Sequence, residues 1–185
     1  MLEPVHPSRI KKNSGAQAGD VLILGKPLCV GILSAALKKE TLSARGYAQM
    51  IAVTTQLNKP DIELAKMDTV HAMTDVTGFG LLGDRLELAR GAYLKMQLAV
   101  NQVPLLPGVL ELAQAGIVTG ASGRNWNSCG AEMVLPAAIS PAHNALVSDP
   151  QTSGGCLWPA RRKPPTQCWH SLTTTAFPTR GRWAT

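Results

Sequence analysis

Apolar and polar positions along this chain change period several times, and each change marks an element. The run Asp20-Val-Leu-Ile-Leu-Gly25 lies between turn residues and predicts a buried strand. Over residues 28–39, Leu28, Ile32, Ala35 and Ala36 recur at helical spacing, with Lys38 and Lys39 placed to meet the C-terminal dipole. Helices are predicted over residues 44–57 and 61–66, the second because Asp61 follows Pro60 and suits a first turn. Residues 70–74 read as a second strand. Beyond them Phe79, Leu82, Leu86 and Ala89 share one face of a helix ending at Arg90, Leu81 and Leu88 widen that face, and Gly91 supplies the left-handed stop. Leu94, Met96, Leu98 and Val100 then alternate with Tyr93, Lys95, Gln97 and Ala99, the period of a half-buried strand. Short helices over 108–115, 122–129 and 141–147 follow, and Ser148-Asp-Pro-Gln-Thr-Ser-Gly-Gly155 reads as a turn feeding a strand. Strands interleaved with helices predict a layered α/β (α+β) domain over residues 20–155, led in by a loop-like segment, residues 1–19.

Composition narrows the class. The chain has 185 residues, 45% hydrophobic and 16% charged, a mixture that builds a packed core. No apolar run reaches the ~18–20 residues of a membrane-spanning helix, and residues 1–15 have no signal-like apolar stretch, so the expectation is a cytoplasmic protein with no membrane partner. Cys29, Cys129, Cys156 and Cys168 are scattered and form no Cys-x-x-Cys pair, which argues against a disulfide framework and against zinc. The net charge of +6 is unevenly placed. Residues 156–185 hold five basic residues (Arg161, Arg162, Lys163, Arg180, Arg182) and no acidic one, which leaves thirteen basic against twelve acidic residues upstream. The same thirty residues carry three of the four tryptophans. A basic, Trp-bearing tail could meet RNA through phosphate contacts and stacking, but it has only five charges and no recognisable module, so nucleic acid is not the expected partner.

Two segments could carry chemistry. Asp75-Val-Thr-Gly-Phe-Gly80 lies at a strand-to-helix junction, where a carboxylate can hold magnesium and glycines let a ligand approach the backbone. The plainer reading is that Asp75 or Thr77 caps the helix. Asp149 to Gly155 has the same ambiguity: Asp149 precedes Pro150 and is held extended, and Gly154-Gly155 suit a turn. His6, His71 and His143 show no metal-ligand spacing and are expected to pack. On the residues alone, capping and turn geometry are favoured for both segments.

In order along the chain stand Pro7-Ser-Arg-Ile-Lys-Lys-Asn-Ser-Gly15, Gly19-Asp-Val-Leu-Ile-Leu-Gly-Lys-Pro-Leu28, His71-Ala-Met-Thr-Asp-Val-Thr-Gly-Phe-Gly-Leu-Leu-Gly83, Leu105-Leu-Pro-Gly108 and Ser148 to Gly155. The series resembles the C-terminal half of the selenophosphate synthetases (selenide, water dikinases), in the aminoimidazole ribonucleotide synthetase superfamily. The resemblance covers about residues 5–155. It implies the C-terminal domain of that fold, a mixed sheet with flanking helices. It also implies selenophosphate formation from selenide, ATP and water, releasing AMP and phosphate, with ATP and Mg2+ as cofactors and the product a selenium donor for selenocysteine and selenouridine. Asp75 matches the family aspartate that binds magnesium at the domain junction. The family's reactive cysteine or selenocysteine, its partner lysine, two further magnesium aspartates, the ATP segment and the main dimerising half lie upstream of the matched part. The resemblance therefore implies a chain inactive by itself; a non-catalytic interaction module or a pseudogene product is the alternative. Cys29 stands where the family usually has glycine, Gly25 where it has threonine, and Asp84 where it has histidine.

After Gly155 the family pattern stops. Read one nucleotide earlier, the codons for Trp158 to Pro164 permit Leu, Val or Met followed by Ala-Cys-Ala-Pro-Glu-Ala, which is the family's continuation. Residues 156–185 are thus expected to be a frameshifted, disordered tail, with Pro159 breaking the strand due there and leaving an unmanaged sheet edge.

Overall fold

The computed structural model describes residues 6–134 and 139–161. Strand β1 (Val21–Leu24) is followed by α1 (Val30–Lys38), α2 (Ala44–Thr55) and α3 (Pro60–Ala65). Then come β2 (Thr74–Asp75), α4 (Gly80–Ala92), α5 (Val109–Gln114), α6 (Gly120–Cys129), α7 (Pro141–Val147) and β3 (Cys156–Ala160). The sheet order is β1-β3-β2 and both pairings are antiparallel; a single parallel bridge joins Leu28 to Leu105. The layered α+β class holds. Alternation places Leu22, Leu24 and Leu157 in the main core with α1 and α5, and Ile23, Cys156, Trp158 and Ala160 in a second core with Leu64 of α3. Because helices cover both faces, β1 and β3 are buried at every position.

The strand expected to fail after Gly155 is therefore present, and it is the central one. Pro159 is tolerated for a local reason. Gly25 N–H donates to Cys156 O at 2.9 Å, so the alternation of the ladder makes Leu22–Pro159 a non-hydrogen-bonded pair, where no N–H is required toward β1. On the other flank Pro159 O accepts from His71 N–H at 2.9 Å. The missing N–H shows there instead. Val70 pairs with Ala160 but Thr74 pairs with Leu157, registers that differ by one residue, so the predicted 70–74 strand shrinks to one bridge plus Thr74–Asp75. The rest of the tail, residues 162–185, lies outside the described residues.

Three further expectations change. Gly91 sits inside α4 rather than ending it, at a place where a Cβ would lie 3.3 Å from Ser14 Cα; Tyr93 takes the left-handed position, with φ 56°. Phe79 caps α4 from outside the packed face and is 65% exposed. Residues 94–99 form no ladder. Leu94, Met96 and Leu98 do pack on the core, but among the described residues no strand pairs with them.

Candidate functional site

The segment 148–155 is built around the start of α1. The first N–H groups of a helix have no intrahelical partner, and here four consecutive ones are met from outside the helix. Gln151 Oε1 accepts from Cys29 N–H (3.1 Å) and Val30 N–H (3.4 Å), and Asp149 Oδ2 accepts from Gly31 N–H (2.9 Å) and Ile32 N–H (3.3 Å). Gln151 Nε2 in turn donates to Asp149 O (2.8 Å) and Oδ2 (3.2 Å), and Ser122 Oγ donates to Oδ1 (3.4 Å). Asp149 is fully buried, and burial pushes its carboxyl up to about 7 against the opposing pull of these donors. Its role, open in the sequence, is that of a helix cap.

The Asp75–Gly80 loop is zipped onto this segment. Val76 N–H donates to Gly155 O (3.0 Å) and Gln151 N–H to Thr77 O (2.9 Å). Gly154 lies so close to the loop that a Cβ would stand 2.0 Å from Val76 O, and Gly80 adopts φ +73° against Ser148, where a Cβ would stand 2.7 Å from its carbonyl carbon. Asn125 of α6 donates through one amide to both segments, to Gly78 O at 2.7 Å and Ser148 O at 3.0 Å. Asp84 Oδ2 accepts from Thr77 N–H at 2.7 Å. Burial pushes the Asp84 carboxyl up, against those Thr77 bonds.

Asp75 ends up outside all of this. It is exposed, at the end of β2, and its carboxylate makes no hydrogen bond or ion pair among the described residues. The capping reading of Asp75 is thereby excluded; Asp84, which the sequence showed only as a departure from the family pattern, holds the loop instead. Behind Asp75, its ladder partner Cys156 donates Sγ–H to Asp61 Oδ2 at 2.5 Å. Burial, the bond to Asp61 and the charges of Asp61 and Asp75 all push the Cys156 thiol up, so it is a protonated donor and no nucleophile. Burial likewise raises the Asp61 carboxyl and lowers the Lys26 ammonium. Lys26 Nζ is spent on Gln56 O and Ser153 O, both at 2.7 Å, and so ties α2 to the turn.

Among the described residues no three His, Cys, Asp or Glu side chains are gathered as a metal cage. Magnesium does not require one. It takes one or two carboxylates and completes its shell with water and phosphate oxygens, so a single free carboxylate on a rigid loop fits that ion and would not fit zinc. His71 is accounted for by Asp20, whose carboxylate lies 2.7 Å from Nδ1, and His143 by Ser140 at 2.7 Å. Cys29 and Cys129 are buried, and burial raises both thiols. Gln151 and Asn125 were missed in the sequence. Their only signal is a polar side chain in a segment otherwise explained by turn or helix geometry.

The AIR synthase related protein, C-terminal domain, family matches residues 17–139, about two thirds of the chain. The chain belongs to this family. Within the AIR synthase related proteins it is 61% identical over 153 residues to a selenide, water dikinase of Paraburkholderia xenovorans (strain LB400), a match covering 83% of this chain and 43% of that protein. It is 60% identical over 153 residues to one of Pseudomonas straminea, again 83% and 43%, and 50% identical over 152 residues to one of Rhizobium meliloti (strain 1021), 82% and 44%. The chain thus spans less than half the length of the curated relatives it matches. Its fold is that of thiamine-monophosphate kinase from Stenotrophomonas maltophilia K279a (TM-score 0.60, 18% identity, 97% of this chain and 52% of that one). E. coli HypE, a hydrogenase maturation protein, is also similar (TM-score 0.59, 14% identity, 94% and 46%). No helix among the described residues is long and apolar enough to cross a membrane.

Proposed function

We propose that this chain supplies the magnesium-bearing C-terminal part of a selenophosphate synthetase site, with Asp75 as its one metal ligand, and that it makes no selenophosphate alone. One observation carries the reading: in a chain 61% identical to a selenide, water dikinase, the Asp75 loop is fastened through Val76, Thr77 and Gly78 while its carboxylate makes no hydrogen bond or ion pair among the described residues. A free carboxylate on a fixed loop needs no reorganisation to meet a cation. Asp75 would hold magnesium there, and the ion when bound would supply positive charge to phosphate groups in phosphoryl transfer. Asp84, Asn125 and Gln151 fix the backbone of the loop. ATP and selenide belong to the complete reaction, whose remaining ligands the resemblance assigns to the part of the relatives outside the match. The cytoplasm is the compartment proposed for it.

The reading frame is part of the proposal: near codon 156 the sequence leaves the frame of its relatives, supported by seven consecutive positions whose codons, shifted by one nucleotide, permit the family pattern. Sequencing the gene on both sides tests it.

For function, the purified chain is incubated with selenide, ATP and Mg2+. AMP should not rise above a no-protein control, and selenide-dependent AMP would overturn the claim of inactivity. In a full-length enzyme that carries residues 5–155 of this chain, Asp75→Asn should keep the fold and cut turnover sharply. Near-normal turnover at limiting Mg2+ would remove Asp75 from the site.

A further inference from the structure

Arg85 stands in the middle of the apolar sector of α4, between Leu81, Leu82, Leu88 and Ala89, all of them buried. It follows them inward and is 6% exposed. Its guanidinium reaches a small apolar cluster in which Leu82, Cys129 and Val147 pack with Trp126 and Met133. There Nη2 meets a weak acceptor, Met133 Sδ at 3.3 Å. Nε and Nη1 are buried and have no hydrogen-bond partner among the described residues. Nearby carboxylates are engaged elsewhere. Asp84 accepts from Thr77 N–H, Glu87 from Asn13, and Glu132 pairs with Arg90 at the surface. Burial lowers the guanidinium only to about 10, so it is charged at neutral pH, and burial keeps the neighbouring Cys129 thiol protonated. A buried cation in this state is costly, and a counterion bound to it removes much of that cost.

We infer that Arg85 binds a small, weakly hydrated monoanion, of the halide or nitrate kind, through Nε and Nη1 inside this cluster. The charge follows from the single cation: a monoanion balances it, whereas a dianion such as phosphate would leave net negative charge buried. The hydration follows from the lining. Leucine, valine, tryptophan and methionine side chains replace little of an ion's water shell, so an ion that gives up its water easily is favoured. The size follows from the packing, since the cluster is closed by side chains in contact with one another. Met133 is unbranched and half-buried, so an ion from solvent reaches the guanidinium past one adaptable side chain. The site uses none of the residues that fix the Asp75 loop and stands independently of the proposed function.

Bromide is the probe, added to the full chain while strongly hydrated fluoride holds the ionic strength constant. Above half saturation the thermal midpoint should rise by about 3–5 °C for each tenfold increase in bromide. Arg85→Met keeps an unbranched side chain that suits the apolar lining, and its midpoint should stay flat over the same series. The second readout is the bromide NMR line width at one temperature, where both chains are folded, so that a gain in stability by the variant does not enter. The parent should broaden the line and Arg85→Met should not. Arg85→Lys keeps the charge and should retain part of the broadening. A parent whose midpoint and line width match those of Arg85→Met, broadening that survives in Arg85→Met, or a preference for phosphate over bromide would each overturn the inference.

Discussion

The two segments that carry an aspartate at a turn, 75–80 and 148–155, look alike in sequence and end in opposite states. Asp149 is fully buried and engaged by Gly31, Ile32, Gln151 and Ser122; Asp75 is exposed and makes no hydrogen bond or ion pair among the described residues. Both segments pair an acid with glycines, yet the glycines differ as much as the acids. A Cβ at Gly154 would stand 2.0 Å from Val76 O, whereas one at Gly78 would meet nothing within 4 Å. A carboxylate's role is thus set by the unpaired N–H groups within its reach. The start of α1 consumes Asp149, and the loop of Asp75 is held by other residues, which leaves its carboxylate without a hydrogen-bond partner among the described residues.

The contrast breaks hardest at the glycines. Gly154→Ala forces the 148–155 turn away from Val76 O and should cost ~3 kcal/mol or more in urea unfolding. Gly78→Ala, with open space and no positive φ, should cost less than ~1 kcal/mol. Equal costs would mean that the two segments are not packed as described.

A second way to sharpen it is pH. Asp149 holds its proton to about 7 in the folded chain and to about 4 when unfolded. Between these values the folded state binds a proton that the unfolded state has released. Stability should therefore fall as pH rises from about 4 to about 7, by ~2–4 kcal/mol, and level off above. Asp149→Asn should flatten that slope. Asp75→Asn should leave it intact.

A smaller effect concerns the strand that the segment feeds. Trp158 Cη2 would stand 2.7 Å from a Cβ on Gly25, so the indole fills the volume that a side chain at 25 would take. Gly25→Thr and Trp158→Val should each destabilise, the first by overpacking and the second by a cavity, and together they should cost ~1–3 kcal/mol less than their sum. Trp158 Nε1 is buried without a partner, a cost that Trp158→Val removes. If Trp158→Val alone raises stability, the unpaired Nε1 outweighs the packing of the indole and the cavity expectation fails.

Most of the helices were legible because their apolar spacing and starts are local: Pro141 opens α7 and Ser43 Oγ caps α2 through Gly46 N–H at 3.1 Å. What misled were features whose meaning depends on residues far away in sequence. Pro159 looked like a strand breaker because the N–H requirement of its two neighbours is not written near it. Gly91 looked like a helix stop because Ser14, against which it packs, is 77 positions away. Residues 94–99 have a strand's alternation but find no ladder partner among the described residues. The position of Asp75 at a strand end was readable. That its carboxylate is free was not, because Asp84, Asn125 and Gln151 had to be brought to the loop first.

The account divides two aspartates into one that holds the fold and one that is free, and matched truncations test that division most directly. Equilibrium urea unfolding of Asp75→Ala and Asp149→Ala, measured side by side at pH 7, should show Asp75→Ala within ~0.5 kcal/mol of the parent. Asp149→Ala should lose ~2 kcal/mol or more, because Gly31 and Ile32 are left with unmet N–H groups at the start of α1. Equal losses, or a larger loss at Asp75, would contradict it.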